Sequence, residues 1–232
     1  MNGYYPVVLQ LRGQKIVVIG GGGVAERKVI GLLEAGADDV RIVSPEVTER
    51  LAGLAEEGKL RIELRGYKES DASGAWLLFA ASGNREVNAA VVADGKRCGA
   101  LVNAADLHDE GDFLAPSVIR RGDLLLSVTT AGASPSLAAA IKKELEAQYG
   151  ESYIEAVDRL RRLRTLVMNS EIDRVAKQAI LKLAALEAAE AAKSDASAAD
   201  SGEKVEGSDH EWLNSLLRRI GITGGLHNEG NS

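Results

Sequence analysis

Ile16-Val17-Val18-Ile19-Gly20-Gly21-Gly22-Gly23-Val24-Ala25-Glu26-Arg27-Lys28 runs an apolar strand straight into four glycines and then into a helix. Gly20, Gly22 and Ala25 satisfy the spacing G-x-G-x-x-[GA], with Gly21, Gly23 and Val24 between them. In that pattern the first glycine turns the chain, the second lets backbone approach a pyrophosphate, and the small third residue packs helix on strand. The helix N-terminus adds unpaired N–H groups and partial positive charge for phosphates. A ligand-free strand-to-helix turn would look the same in isolation, so the surroundings have to decide.

They favour a nucleotide. The helix carries Ala25, Val29, Leu32 and Leu33 on one face and stops at Gly36, and a second strand, Val40 to Val43, completes a βαβ unit. The dinucleotide fingerprint normally places Asp or Glu at the end of this strand to hold the ribose hydroxyls; here Ser44 stands there, followed by Pro45 and Glu46. No arginine directly follows to receive a 2′-phosphate, which favours NAD, with Ser44 or Glu46 as ribose contacts. Ser-Pro-Glu equally reads as an N-cap followed by proline at the first helical position, a competing duty for Ser44.

The pattern continues with a helix from Ser44 to Gly58, a short strand from Leu60 to Leu64, and a nearly continuous apolar run, Ala75 to Ala81, that reads as a buried central strand. A helix from Asn84 to Lys96 and a strand from Ala100 to Asn103 follow. Such alternation predicts an α/β fold, a Rossmann-type doubly wound parallel sheet. Beyond Asp112 the pattern changes. Phe113 to Ile119 and Leu124 to Thr130 read as strands, Ser134-Pro135 starts a helix through Tyr149, and the absence of Gly and Pro from Glu151 to Asp200 predicts a helical region. Lys193 to Asp209 reads as a linker, and Ser208-x-x-Glu211 as the cap of a last amphipathic helix with Trp212, Leu213, Leu216, Leu217 and Ile220 inward. That helix either docks on a partner or forms a loosely held tail. The expected division is 1–112, a small segment 113–149, a C-terminal helical region 150–192, and a linker with tail 193–232.

The 232 residues suffice for one α/β domain and a smaller appendage. A formal net charge of −6 gives no general attraction to nucleic acid or to an anionic membrane. Cys98 is the sole cysteine, which excludes an intrachain disulfide and a multi-cysteine metal cluster. With neither a signal-like start nor an apolar run of spanning length, a soluble cytoplasmic protein is expected.

Three further motifs follow the glycine loop: Val102-Asn103-Ala104-Ala105-Asp106, Phe113-Leu114-Ala115-Pro116-Ser117, and Thr129-Thr130-Ala131-Gly132-Ala133-Ser134-Pro135-Ser136. In order and spacing the set resembles the precorrin-2 dehydrogenases, the siroheme-synthase N-terminal module, over roughly Tyr5 to Tyr149 and more weakly through the helical region. The resemblance implies hydride transfer from precorrin-2 to NAD⁺, giving sirohydrochlorin for siroheme; some members also insert Fe²⁺. It also implies a homodimer, with a dimerisation segment after the nucleotide domain; from the length, no methyltransferase domain like that of fused siroheme synthases is expected. The family's NAD loop falls on Gly20 to Ala25 and its catalytic aspartate on Asp106. Its segment bordering the dinucleotide falls on Ala80, Ala81 and Ser82, although Ser82-Gly83-Asn84 stands where relatives often carry Thr-Asp. A carboxylate at Asp106 suits the chemistry, because dehydrogenation releases a proton along with the hydride.

The tetrapyrrole substrate implied by the resemblance carries many carboxylates and calls for cations. Arg120, Arg121, Lys142 and Lys143 are candidates, with solvated surface charge the alternative for each. Thr130 and Ser134 are candidate lining groups, and Ser134 before Pro135 also reads as an N-cap. His108, two residues beyond Asp106, could assist proton transfer or touch a metal, but the histidines assemble no metal cluster. A nucleotide-sensing regulatory module that binds NAD without turnover would share the βαβ unit, yet would not need the Asp106 motif and its downstream partners. No tyrosine has Lys four residues later, as a short-chain dehydrogenase requires.

Overall fold

The computed structural model describes residues 3–105, 110–197 and 208–222. The chain divides into two compact units, Met1–Ala115 and Pro116–Ser232. In the first, β1 (Lys15–Ile19), β2 (Asp39–Ser44), β3 (Arg61–Leu64), β4 (Leu77–Ala80) and β5 (Leu101–Ala104) form one parallel sheet in the order β3-β2-β1-β4-β5. Helices α1 (Gly23–Glu34), α2 (Glu49–Glu56) and α3 (Arg85–Arg97) supply the crossovers.

Both faces of the sheet are covered, which is why the central strands read as unbroken apolar runs rather than as alternation. Successive residues of β1 go to opposite sides. Ile16 and Val18 join Ala25, Val29, Leu51 and Phe79 in one core, while Val17 and Ile19 join Leu78, Val91, Val92 and Val102 in the other. The register pairs Ile19 with Val43 and with Ala80, and Ala80 with Ala104, so β1, β2, β4 and β5 finish level with one another. Strand order reverses between β1 and β4, the position where open α/β sheets bind ligands.

The helix expected from Ser44 starts later. Ser44 is the last residue of β2, paired with Leu64, and the N-cap of α2 is Thr48, whose side chain accepts from Leu51 N. The alternative of Ser44 as an N-cap is therefore corrected.

In the second unit, β6 (Ser117–Arg121) and β7 (Leu124–Val128) form an antiparallel ribbon with Ile119 opposite Leu126. Pairing begins at Ser117 rather than Phe113, since the Phe113 carbonyl is taken by the Asn103 side chain and Pro116 has no N–H to offer a ladder. Helices α4 (Pro135–Gln148), α5 (Ser152–Asn169), α6 (Arg174–Ser197) and α7 (Asp209–Arg219) complete it. α6 continues past Lys193, where a linker was expected; its last turns are tied down by buried Ala192, whose carbonyl accepts from Ser152 Oγ at 2.8 Å.

α7 begins with the expected capping box, Ser208 with Glu211, and packs within its own unit. Leu213, Leu216 and Leu217 are buried against Leu163, Val167, Ile180 and Ala184 of α5 and α6, and Trp212 Nε1 donates to Glu187 at 2.9 Å. No helix among the described residues is long and apolar enough to cross a membrane.

Candidate functional site

The four glycines of the loop do two different jobs. Gly20 turns at φ +123°, and a Cβ there would lie 2.3 Å from Ala81 O. At Gly21 a Cβ would lie 2.1 Å from Glu46 O, and Gly21 O accepts from Thr48 N at 3.0 Å. These two glycines are demanded by the chain itself, which packs the loop against the ends of β4 and β2. Gly22 and Gly23 are different, because a Cβ at either would meet nothing within 4 Å. Gly22 is the N-cap of α1 at φ −83°, an ordinary conformation for any residue, and it has no side-chain cap. The first intrahelical bond runs from Glu26 N to Gly22 O, so the amides of Gly23, Val24 and Ala25 precede it. Open space, backbone amides and the positive end of a helix dipole together form a cradle that fits a dinucleotide pyrophosphate.

Beside this cradle, Ser44 is buried and its Oγ donates to Glu46 O at 2.6 Å, closing a turn. The Glu46 side chain is exposed. Arg65 follows β3 and its amide donates to Ser44 O, but its guanidinium is held by Asp71 at 2.7 and 2.8 Å and also by Glu63.

Ala80 and Ala81 close β4 under the glycine loop, with Ala81 N donating to Ile19 O. Ser82 is held by a residue that carried no role in the sequence reading, the fully buried Asn88 of α3. Asn88 Oδ1 accepts from Ser82 N at 3.0 Å and from Ser82 Oγ at 2.9 Å, and its Nδ2 donates to Ser82 O at 3.0 Å. The available signal was an amide on the apolar face of the predicted helix, beside Val87, Val91 and Val92.

Asp106 and His108 lie outside the described residues, but the chain on either side is pinned. Ala105 N donates to Ala80 O, Asp112 N to Val102 O, and Val102 N to Asp112 Oδ2 at 2.9 Å. Buried Asn103 donates through Nδ2 to Phe113 O at 2.9 Å. Its Oδ1 accepts from Lys28 Nζ at 2.6 Å, and that ammonium also lies 5.6 Å from the centroid of Phe79, which packs edge-on against Phe113. Burial, reinforced by the charge of Arg27, holds the Lys28 pKa below the ordinary lysine value.

In the second unit, Arg120 is exposed, whereas Arg121 Nε donates to Tyr149 O at 3.0 Å and ties β6 to the end of α4. Lys142 pairs with Glu146 and Lys143 is exposed. Ser134 is the N-cap of α4, its Oγ accepting from Leu137 N, and Pro135 occupies the first turn. Thr130 Oγ1 accepts from Ser134 N and donates to Ser134 O, both at 3.0 Å. Between them Ala131 is held at φ +52°, a left-handed conformation that costs a non-glycine residue about 1–2 kcal/mol. Such strain clusters at functional sites. Among the described residues no group of three or more His, Cys, Asp or Glu could hold a metal ion.

Comparison with known proteins places these features in a family. The family model described as "Putative NAD(P)-binding" matches residues 7–117. Siroheme synthase of Nitrosococcus oceani is 35% identical over 150 residues, 65% of this chain and 32% of that protein. The chain thus spans about a third of the length of the siroheme synthases it matches. Precorrin-2 dehydrogenase of Priestia megaterium is 32% identical over 177 residues, which cover 76% of this chain and 87% of that protein. The solved structure of SirC, a precorrin-2 dehydrogenase, superposes with a TM-score of 0.70 at 27% identity, over 93% of this chain and 100% of that one. With the matching parallel sheet and coverage of nearly the whole of a dedicated relative, the chain belongs to the precorrin-2 dehydrogenase family.

Proposed function

We propose that this chain catalyses the NAD-dependent dehydrogenation of precorrin-2 to sirohydrochlorin on the route to siroheme. The observation that carries the reading is the open space at Gly22 and Gly23 in front of the α1 amides, which no packing requirement of the chain explains. Bound there, NAD⁺ supplies the hydride acceptor. The chain's own residues bind, orient and move a proton: Gly20 and Gly21 fix the loop, Gly22 to Ala25 hold the pyrophosphate, and the Ala80–Ser82 turn, anchored by Asn88, borders the dinucleotide. Asp106 accepts the proton released with the hydride, and the chain around it is anchored at the carboxyl end of the sheet, where ligands of such folds bind.

NAD⁺ rather than NADP⁺ fits the end of β2. Ser44 is engaged in its own turn, Glu46 is exposed and would repel a 2′-phosphate, and Arg65 is already occupied by Asp71 and Glu63. Arg120, exposed on β6, serves as a cation for the substrate's carboxylate arms, while Thr130 and Ser134 shape the strained turn before α4. A homodimer is supported by Val118, an apolar side chain that stands exposed on the β6–β7 ribbon.

Anaerobic incubation with precorrin-2 and NAD⁺, following sirohydrochlorin spectroscopically with and without Fe²⁺, tests the reading. Turnover to sirohydrochlorin supports it, and siroheme formation above the non-enzymatic rate adds metal insertion. NAD⁺ binding without turnover would leave a regulatory module instead.

A further inference from the structure

Lys28 sits on the cofactor helix, where a long amine would ordinarily extend to water. It turns inward instead, to Asn103 Oδ1 at 2.6 Å and over the Phe79 ring, and among the described residues no carboxylate pairs with it. Drawing an ammonium partly out of water is costly, so its orientation needs a reason.

The reason lies in what it fixes. An ammonium only donates, so it holds the Asn103 amide with Oδ1 toward α1 and Nδ2 toward Phe113 O, 2.9 Å away. One residue earlier, Val102 is doubly bonded to Asp112. The pairs 102/112 and 103/113 therefore clamp the two ends of the stretch that contains Asp106, and Lys28 ties that clamp to α1.

We propose that Lys28 is a positioning residue of the dehydrogenation, acting through Asn103 to fix the chain ends between which Asp106 lies. The inference rests on Asp106 being the proton acceptor. It predicts an unusual separation of effects. Lys28 belongs to the cofactor helix, so a merely structural role would disturb NAD⁺ binding first, whereas positioning of the Asp106 stretch lowers turnover and leaves NAD⁺ binding intact.

The test measures single-turnover rate, NAD⁺ dissociation constant and melting temperature for Lys28→Met and Asn103→Asp, with Asp106→Asn in parallel. Lys28→Met keeps the unbranched stem of the side chain, one atom shorter, and removes the donor. Asn103→Asp keeps an acceptor for Lys28, now as an ion pair, and removes the donor to Phe113 O, so it reports even where Lys28→Met fails to fold. Both variants should turn over about ten- to a hundredfold more slowly, with the NAD⁺ dissociation constant unchanged. Parental rates in Asn103→Asp, or a loss of NAD⁺ affinity in proportion to rate in Lys28→Met, would overturn the inference. Undiminished turnover in Asp106→Asn would instead remove the reading of Asp106 on which it rests.

Discussion

Gly20→Ala and Gly22→Val separate the glycine the fold needs from the glycine the ligand needs. At Gly20 an added methyl falls 2.3 Å from Ala81 O, about 1.2 Å inside the nonbonded optimum of roughly 3.5 Å, and the opposing atom is backbone at the end of β4. The φ of +123° adds strain for any L-residue. Left-handed backbone at about 1–2 kcal/mol and overpacking at about 1–3 kcal/mol together give a loss of about 2–5 kcal/mol. At about 2–4 °C per kcal/mol for a chain of this size, the melting temperature should fall by at least about 4 °C. Gly22→Val reverses the profile. The site is open, φ is ordinary, and the gain from restricting the unfolded chain roughly offsets the poorer N-cap, so stability should move by less than about 1 kcal/mol. The side chain then occupies the pyrophosphate's approach. Even with the ligand shifting to relieve about 1–3 kcal/mol of overlap, affinity should fall about tenfold or more. Scanning calorimetry gives the first quantity and titration calorimetry the second. Parental NAD⁺ affinity in a folded Gly22→Val protein would refute the assignment of the loop to the dinucleotide.

Asp106→Asn preserves shape and removes the base, so turnover should drop by about 10²–10⁴-fold with NAD⁺ binding retained; near-parental turnover would move attention to His108. Light scattering should find a dimer at assay concentrations, and a monomer well above them would count against the β6–β7 interface. Asp71 is buried, and chiefly its bond to Arg65 holds its carboxyl pKa below the ordinary aspartate range. A depressed pKa stabilises the fold above that range, and the contribution is lost as pH falls through the folded value. Asp71→Asn should therefore lower the melting temperature at neutral pH and flatten its fall below about pH 4, and an unchanged acid limb would contradict the role given to the Arg65 pair.

The sheet was legible because its central strands are buried on both faces, and Val17-Val18-Ile19 and Leu77-Leu78-Phe79 announce that by continuous apolarity. The start of α2 was misread for a tertiary reason. Ser44-Pro45-Glu46 has the composition of a helix start, but Glu46 O and Val47 must pack against Gly21, which keeps the chain extended until Thr48 can cap. A partner about 25 residues away in sequence, though close in space, overrides the local preference. α7 shows the same limit: its capping box and apolar face were readable from the sequence, whereas its seat against Leu163 and Ile180 depends on two other helices.

The polar residues that hold the site together were hidden by the rule that revealed the core. Amphipathic reading assigns a helix face by its apolar members, so Asn88 among Val87, Val91 and Val92 looks like an interruption, and Lys28 beside Val29 looks like surface charge. Physically the reverse holds. A buried amide or a half-buried ammonium is tolerable only where its partners are fixed, and both make those bonds to chain segments that pattern alone leaves without regular structure: Ser82 after β4, and, through Asn103, Phe113 before the second unit. Apolar periodicity thus reports where elements pack, while isolated polar residues on those same faces report where the chain between elements must be held in one conformation. In this fold those held segments border the glycine loop and the end of β5, and the cost of burying polar groups falls there.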